Sequence, residues 1–269
     1  MTQVVRLRYS SFCGLGLSLA LIVTVSSAAD PPQASNQEKD AAKRPAWVPL
    51  AAEWQIGNLG PALSARDLFG KVGGAVWTVY TSPRDQLLVR IKKGRRMSQG
   101  SAVAIDEHRL ITNCHVIKGA SDLTLAYEKK HLMSAELIAA DGPRDLCVLR
   151  TAATLPAYVK GFRRFDDLAV GEEVFAIGSP EGYDRSITDG LVSGKRKARG
   201  PRRGMSRIIQ TSAVITRGSS GGGLFDARGN LVGVTSFVSI DGGHLGFAIS
   251  IEDYTTERPV AAPKPKSSK

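Results

Sequence analysis

Residues 218–223 form a glycine- and serine-rich segment with the composition of a site for nucleophilic chemistry. Its glycines bracket Ser219 and Ser220 and allow a sharp turn, in which the N–H groups of Gly218 and Ser220 can point at one place. A serine hydroxyl attacks a carbonyl carbon only with a nearby base, an acid that orients the base, and donors for the developing oxyanion. The same composition also fits a hairpin turn without chemistry, because glycine and serine dominate turns in general.

The base and the orienting acid are sought among histidines and acidic residues at the ends of apolar runs. His115 ends the run LITN and precedes another apolar pair, and Asp145 begins the run DLCVLR. The other histidines lie in polar, turn-like stretches: His108, His131 and His244. A single histidine or aspartate at such a position is more often structural. The hypothesis that Ser220, His115 and Asp145 act together therefore depends on their combination.

Short strands are the elements that must position these residues. Runs such as SAVAID, RLITN and NLVGVTSFV recur about every 8–15 residues, with glycine, aspartate, asparagine or proline between them. Helical periodicity is nearly absent over longer windows. The pattern predicts an all-β sandwich or barrel, preceded by a short helix that leads into a strand at residues 75–81.

Five segments, in this order, resemble HtrA-like (DegP-like) proteases of the trypsin fold: GSAVAIDEHRLITNCHVI, DLCVLR, AIGSPEGYDRSITDGLVSG, IQTSAVITRGSSGGGLFDARGNLVGVTS and LGFAIS. They cover residues 66–251. The resemblance implies an all-β fold of two six-stranded antiparallel barrels with the active site between them. It also implies an exported serine endopeptidase that cleaves unfolded or damaged proteins through an acyl-enzyme, with no metal and no cofactor.

The resemblance also assigns a role to each candidate residue. Ser220 is the nucleophile, His115 carries the proton, and Asp145 holds the imidazole. The backbone amides of Gly218 and Ser220 form the oxyanion hole, and Ser236 donates to the carboxylate of Asp145.

The substrate pocket implied by the resemblance is formed by Val214, Ile215 and Thr216. None of these residues is acidic, which argues against arginine or lysine before the cleaved bond and favours a small or aliphatic side chain.

The chain departs from the family pattern at three places. Gly223 stands where the family has proline, and Ser219 stands where it has asparagine or aspartate. The chain also ends soon after LGFAIS, so we expect no PDZ domain.

Two cysteines flank the proposed base and acid. Cys114 precedes His115, and Cys147 lies two residues after Asp145. An exported protein can form a disulfide between them, but two small buried hydrophobic side chains are the slightly favoured interpretation, because the sequence does not give the Cα separation.

Residues 1–29 are typical of an export signal, with Arg6 and Arg8 before an apolar run and small residues at its end. We therefore expect the chain to consist, in order, of a signal peptide (1–29), a linker (30–64), a protease domain (65–253) and a disordered Pro/Lys-rich tail (254–269). The apolar run is too short to span a bilayer, so the mature chain has no transmembrane anchor and is periplasmic or secreted.

The chain carries a formal charge of +11, with seven basic residues between Lys195 and Arg207 and four more at 92–96. Such loops either bind an anionic surface or polyanion or are simply solvated. They suggest an alternative function, a catalytically weak protease-fold protein that holds an anionic partner. Nucleic acid is not expected as a partner, because the protein is exported.

Overall fold

The computed structural model describes residues 55–57, 60–82, 86, 99–128, 131–180, 185–199, 205–239 and 245–255. The predicted export signal lies outside these residues, as do most of the predicted linker and tail. Within the described part of the chain, no helix is both long and apolar enough to cross a membrane.

The first described elements lead into the fold as the sequence predicted. A two-residue strand, β1 (Gln55–Ile56), is followed by helix α1 (Ala65–Val72) and a 3₁₀ turn at Gly73–Ala75. The Ser64 side chain accepts a hydrogen bond from the Asp67 N–H at 3.2 Å, which caps the start of α1. Because β1 is part of a sheet, the folded domain reaches into the stretch assigned to the linker.

Six strands of the N-terminal half form one barrel: β2 (Val76–Tyr80), β3 (Gln99–Ala104), β4 (Arg109–Asn113), β5 (Leu123–Tyr127), β6 (His131–Asp141) and β7 (Leu146–Arg150). They close in the order β2-β3-β4-β7-β6-β5, and every neighbouring pair is antiparallel. β2 has the sequence VWTVY and is buried along its whole length, as expected for β-branched and aromatic side chains inside a barrel.

The second barrel follows the short strand β8 (Gly161–Phe162). Its strands are β9 (Glu173–Gly178), β10 (Ser186–Arg199), β11 (Met205–Thr211), β12 (Gly223–Asp226), β13 (Leu231–Ser239) and β14 (Leu245–Ser250). Antiparallel pairing runs β13-β12-β9-β10-β11-β14, and the pairing of β13 with β14 closes the ring. β8 and β1 add to the outside of β13 in parallel. The prediction of an all-β fold with two six-stranded antiparallel barrels is confirmed.

A common apolar core joins the barrels. Ile111 of β4 belongs to the same buried cluster as Ile177, Phe225 and Ile249 of the second barrel. A helical turn, α2 (Glu252–Thr255), follows β14, and its Tyr254 also belongs to this cluster. The folded part therefore extends past residue 253. The candidate residues lie in the loops after β4, β6 and β11.

Candidate active site

His115 lies just after the end of β4, where a tight turn follows the strand. Its ring Nδ1 is 2.6 Å from Oδ2 of Asp145, and its backbone N–H donates to Oδ1 of the same carboxylate at 2.9 Å. The ionised carboxylate only accepts hydrogen bonds, so Nδ1 carries the proton and Nε2 is left as a basic nitrogen. The imidazole is 30% exposed, and the carboxylate is nearly buried.

Asp145 begins β7 from an unusual backbone conformation, with φ of 64°. Asparagine and aspartate tolerate this left-handed region better than most other residues. The Asp145 N–H donates to the Gly142 carbonyl, and the Asp145 carbonyl accepts from the Cys114 N–H and from Asn113 Nδ2. These three hydrogen bonds hold the turn. The segment around His115 and the segment around Asp145 are thus hydrogen-bonded directly to each other.

Ser236 in β13 approaches the same carboxylate from the second barrel. Its hydroxyl donates to Oδ2 of Asp145 at 3.3 Å. Both side chains are buried, and a buried carboxylate needs such donors because it has lost water.

Ser220 lies beside this group but does not bind the imidazole. Its Oγ donates to the backbone carbonyl of Ser236 at 2.9 Å, and no hydrogen bond joins it to His115, both residues being within the described chain. Its own carbonyl accepts from the N–H of Ser101 in β3, at 2.8 Å. The structure therefore brings Ser220, Ser236, Asp145 and His115 into one neighbourhood, with the serine hydroxyl bound to a backbone carbonyl.

The turn before Ser220 leaves two backbone donors without partners. Gly218 has φ of 96°, a conformation that favours glycine. Neither the Gly218 N–H nor the Ser220 N–H donates to another described residue, whereas the Ser219 N–H between them donates to the Thr216 carbonyl at 3.0 Å. Two free amides close to a serine hydroxyl can stabilise negative charge on an oxygen.

A family model described as a trypsin-like peptidase domain matches residues 100–234, which is half of the chain. The chain belongs to this family. The matched range contains His115, Asp145 and Ser220, and it ends at Val234, within β13.

Curated relatives of this peptidase domain carry protease names. "Protease Do-like 1, chloroplastic" of Arabidopsis thaliana is 37% identical over 163 residues, covering 56% of this chain and 36% of that protein. A "Probable periplasmic serine endoprotease DegP-like" of Halomonas elongata is 38% identical over 159 residues, covering 58% and 33%. The chain spans about a third of the length of these relatives.

Solved structures agree with this membership. "HtrA-type protease AlgW with tripeptide" superimposes with a TM-score of 0.62 at 31% identity, covering 71% of this chain and 61% of that chain. Its complex with a decapeptide gives a TM-score of 0.60 at 29% identity. The resemblance to HtrA-like proteases is confirmed.

The predicted pocket residues of the peptidase domain do not share one cavity. Val214 and Thr216 line a cavity of about 210 Å³ next to Ser219. Ile215 lies between them in sequence and is buried on the other side, where a Cβ on Gly246 would meet its Cδ1 at 3.0 Å. Side chains of an extended segment alternate in direction, so three consecutive residues cannot line one wall.

The structure joins Cys114 and Cys147 in a disulfide with a Cα–Cα distance of 5.0 Å. The slightly favoured interpretation of two unbonded side chains is therefore corrected. The register explains the closeness, because Thr112 of β4 pairs with Cys147 of β7 and Cys114 is two residues further on. The bond crosses between the segments that carry His115 and Asp145.

Sequence reasoning missed Tyr254, which lies in α2. Its hydroxyl donates to the Thr112 carbonyl at 3.0 Å, in the strand that leads to His115. Burial raises the pKa of the Tyr254 phenol well above its ordinary value, the nearby carboxylates of Asp145 and Asp253 raise it further, and Arg144 lowers it. A tyrosine near the end of an unrelated segment gives no sequence signal for this contact.

Proposed function

We propose that this chain is a serine endopeptidase in which Ser220 is the nucleophile, His115 the general base and Asp145 the orienting acid. The observation that carries the proposal is the 2.6 Å contact between His115 Nδ1 and Asp145 Oδ2. Ser220 is linked to the same carboxylate through Ser236 by two hydrogen bonds, one to the Ser236 carbonyl and one from the Ser236 hydroxyl. Family membership and the protease names of the relatives support it.

The reaction begins with rotation of the Ser220 side chain away from the Ser236 carbonyl and towards the imidazole. Nε2 of His115 takes the hydroxyl proton as Oγ bonds to the substrate carbonyl carbon, and Asp145 stabilises the imidazolium that forms. The imidazolium then gives the proton to the leaving amine, which leaves an acyl-enzyme. Water, activated by the same nitrogen, hydrolyses the ester and regenerates the serine.

The N–H groups of Gly218 and Ser220 stabilise the carbonyl oxygen while it carries negative charge. Each such donor is worth about 10²–10³ in rate when it is well placed. Ser236 supports the pair by donating a hydrogen bond to the Asp145 carboxylate, which holds that carboxylate in place beside the imidazole.

Substrate preference follows from the residues around the nucleophile turn. The cavity next to Ser219 is lined by neutral residues, among them Val214, Thr216 and Ser219 itself. A neutral pocket of this kind favours a small or aliphatic residue before the cleaved bond, because it offers no carboxylate to a basic side chain. We further propose, from the resemblance to HtrA-like proteases, that the natural substrates are unfolded or damaged proteins. The names of periplasmic relatives support a site of action in the periplasm or outside the cell.

The test is hydrolysis of casein by the parent protein and by Ser220→Ala. The parent cleaves casein, and the variant loses about 10⁶-fold in turnover, because removal of the nucleophile disables the whole catalytic group. Ser193→Ala serves as the matched control, since Ser193 is an exposed serine of β10, and it keeps parental activity. Equal rates for the parent and Ser220→Ala would contradict the proposal.

Binding of an anionic surface is a second candidate function, and it rests on Lys197 and Arg199, which are exposed in β10. Two other described cations between residues 195 and 207 have internal partners. Lys195 donates to the Leu168 carbonyl, and Arg207 pairs with Asp253 at 2.7 Å.

The test of anionic binding is elution from heparin. Lys197→Glu/Arg199→Glu elutes at lower salt than the parent, because like charges now repel. Arg66→Glu/Lys118→Glu makes the same change of charge at other exposed positions and elutes close to the parent. An equal shift for both double variants would show that only the overall charge matters and would contradict a site on β10.

A further inference from the structure

Backbone N–H groups around the nucleophile are paired unequally. Ser219, Gly221 and Gly222 each donate to a backbone carbonyl at 2.8–3.0 Å. The Ser220 N–H lies within this run and donates to no described residue. The amides on both sides of Ser220 are therefore hydrogen-bonded, and within residues 219–222 the Ser220 amide alone stays available.

The carbonyl oxygens of the same turn are held by two buried residues outside it. The Ser219 carbonyl accepts from Oγ1 of Thr235 at 2.6 Å. The Gly218 carbonyl accepts from Oγ of Ser101 at 2.8 Å, and the Ser220 carbonyl accepts from the Ser101 N–H at 2.8 Å. Three successive peptide groups are thus fixed by Ser101 from the first barrel and Thr235 from the second.

Fixing a carbonyl also fixes the N–H of the same peptide group, because the peptide is planar and the two point in opposite directions. The peptide group between Ser219 and Ser220 contains the free Ser220 N–H. When Thr235 holds the Ser219 carbonyl, it therefore directs the Ser220 N–H to the opposite side. Ser101 holds the carbonyls of the two flanking peptide groups, those of Gly218 and Ser220, and so fixes their orientation as well.

The two residues are well placed to hold the turn rigidly. Ser101 and Thr235 are 0% and 1% exposed, so water does not compete for their hydroxyls. The Ser101 Oγ also accepts from the Ser179 N–H at 2.9 Å, which fixes the direction in which its own proton points. The Ser101 carbonyl accepts from Oγ1 of Thr112 at 2.7 Å, so the residue is anchored to β4 as well.

We propose that Ser101 and Thr235 are positioning residues of the oxyanion hole, which hold the Gly218–Ser220 turn with its free amide aimed at the reacting carbonyl oxygen. The proposal rests on the proposed peptidase function. It adds two buried hydroxyls, one from each barrel, to the residues on which that function depends.

Two further buried hydroxyls provide matched controls. Thr78 Oγ1 donates to Ser179 Oγ at 2.7 Å, and these residues are 1% and 0% exposed. These two hydroxyls bind each other, whereas those of Ser101 and Thr235 bind carbonyls of the turn. Ser179→Ala and Thr78→Val therefore repeat the chemical changes of Ser101→Ala and Thr235→Val at equal burial, and they measure the general cost of losing a buried hydrogen bond.

The experiment compares the four variants with the parent in kinetics and inhibitor binding. Ser101→Ala and Thr235→Val lower kcat about tenfold to a hundredfold, because small misplacements of a catalytic group have effects up to about that size. KM changes little, since the donors act mainly on the transition state. The affinity for a tripeptide aldehyde with an aliphatic last residue falls by the same factor as kcat/KM, because its adduct places an oxygen in the oxyanion hole.

Hydrogen exchange supplies a readout that needs no turnover. Backbone amides of residues 219–222 exchange faster in Ser101→Ala and Thr235→Val than in the two controls, since the turn has lost its anchors. Controls that lose as much activity and protection as the test variants would overturn the proposal. A parent that cleaves no substrate would refute the peptidase function, and the exchange rates would still decide whether these two residues hold the turn.

Discussion

Tyr254 is a buried phenol at the base of the site, and its position links stability to pH. It donates to the Thr112 carbonyl, one strand position before Asn113 and close to the His115 turn. Its pKa is raised in the folded protein. On raising the pH, the unfolded chain therefore loses this proton first, at its ordinary pKa of about 10. The contribution to stability is fully present below that pH and is lost as the pH rises above it.

Tyr254→Phe should change the pH dependence in a defined direction. At neutral pH the variant is about 1 kcal/mol less stable, because the buried Thr112 carbonyl loses its donor. Above pH 10 the difference shrinks, since the parent alone loses stability through this phenol, by up to about 1.4 kcal/mol per pH unit. Urea unfolding at pH 7.5 and between pH 10 and 11 measures both effects. A difference that stays constant over this range would contradict a raised pKa.

The residue types of the site were predictable, but several of their partners were not. Ser220, His115 and Asp145 stand in recognisable segments, so motif and order were enough to nominate them. Ser101 and Thr235 look like ordinary strand residues, because their role depends on which carbonyl each faces across the barrel contact. The direction of the Ile215 side chain was likewise set by local alternation, which a resemblance at segment level does not resolve.

Strands β4 and β7 form the element pair that carries the proposed base and the proposed acid. Their register pairs Asn113 with Leu146, at the strand ends next to His115 and Asp145. The disulfide between Cys114 and Cys147 adds a covalent link at this end. The sequence alone could not decide this bond, because Cα separation depends on strand register.

Removal of the disulfide should destabilise the protein by about 3.7 kcal/mol, the size expected for a loop closed by a sequence separation of 33 residues. Cys114→Ala/Cys147→Ala therefore unfolds at lower urea concentration than the parent. Dithiothreitol lowers the midpoint of the parent and leaves the double variant unchanged. If the reductant shifted both proteins equally, its effect would lie elsewhere and the bond would not be the cause.

The hydrophobic pattern predicted the individual strands and the helix, whereas the family resemblance predicted how the strands pair. The alternating runs were enough for short strands and for a helix before β2. Two-residue strands such as β1 and β8 carry too little pattern to be recognised, although they add to the edge at β13. The closure into barrels came from the resemblance, because pairing between distant strands leaves no periodic signal in the sequence.

Contact between the two barrels is what assembles the site in the whole molecule. Arg185, before β10, donates to Tyr127 and Glu128 at the end of β5, at 2.7 and 2.6 Å. On the other side, Tyr254 joins the end of the second barrel to β4. The proposed base and acid come from one barrel and the proposed nucleophile from the other, so any separation of the barrels would disable the proposed chemistry.

The most direct test of Ser220 as the nucleophile is to find which serine reacts with a fluorophosphonate. Mass spectrometry of peptides from the labelled protein locates that serine. A single adduct on Ser220 is expected, and it is lost in His115→Ala, which retains the serine but not its base. An adduct on a different serine, or labelling of Ser220 that proceeds equally fast without His115, would contradict it.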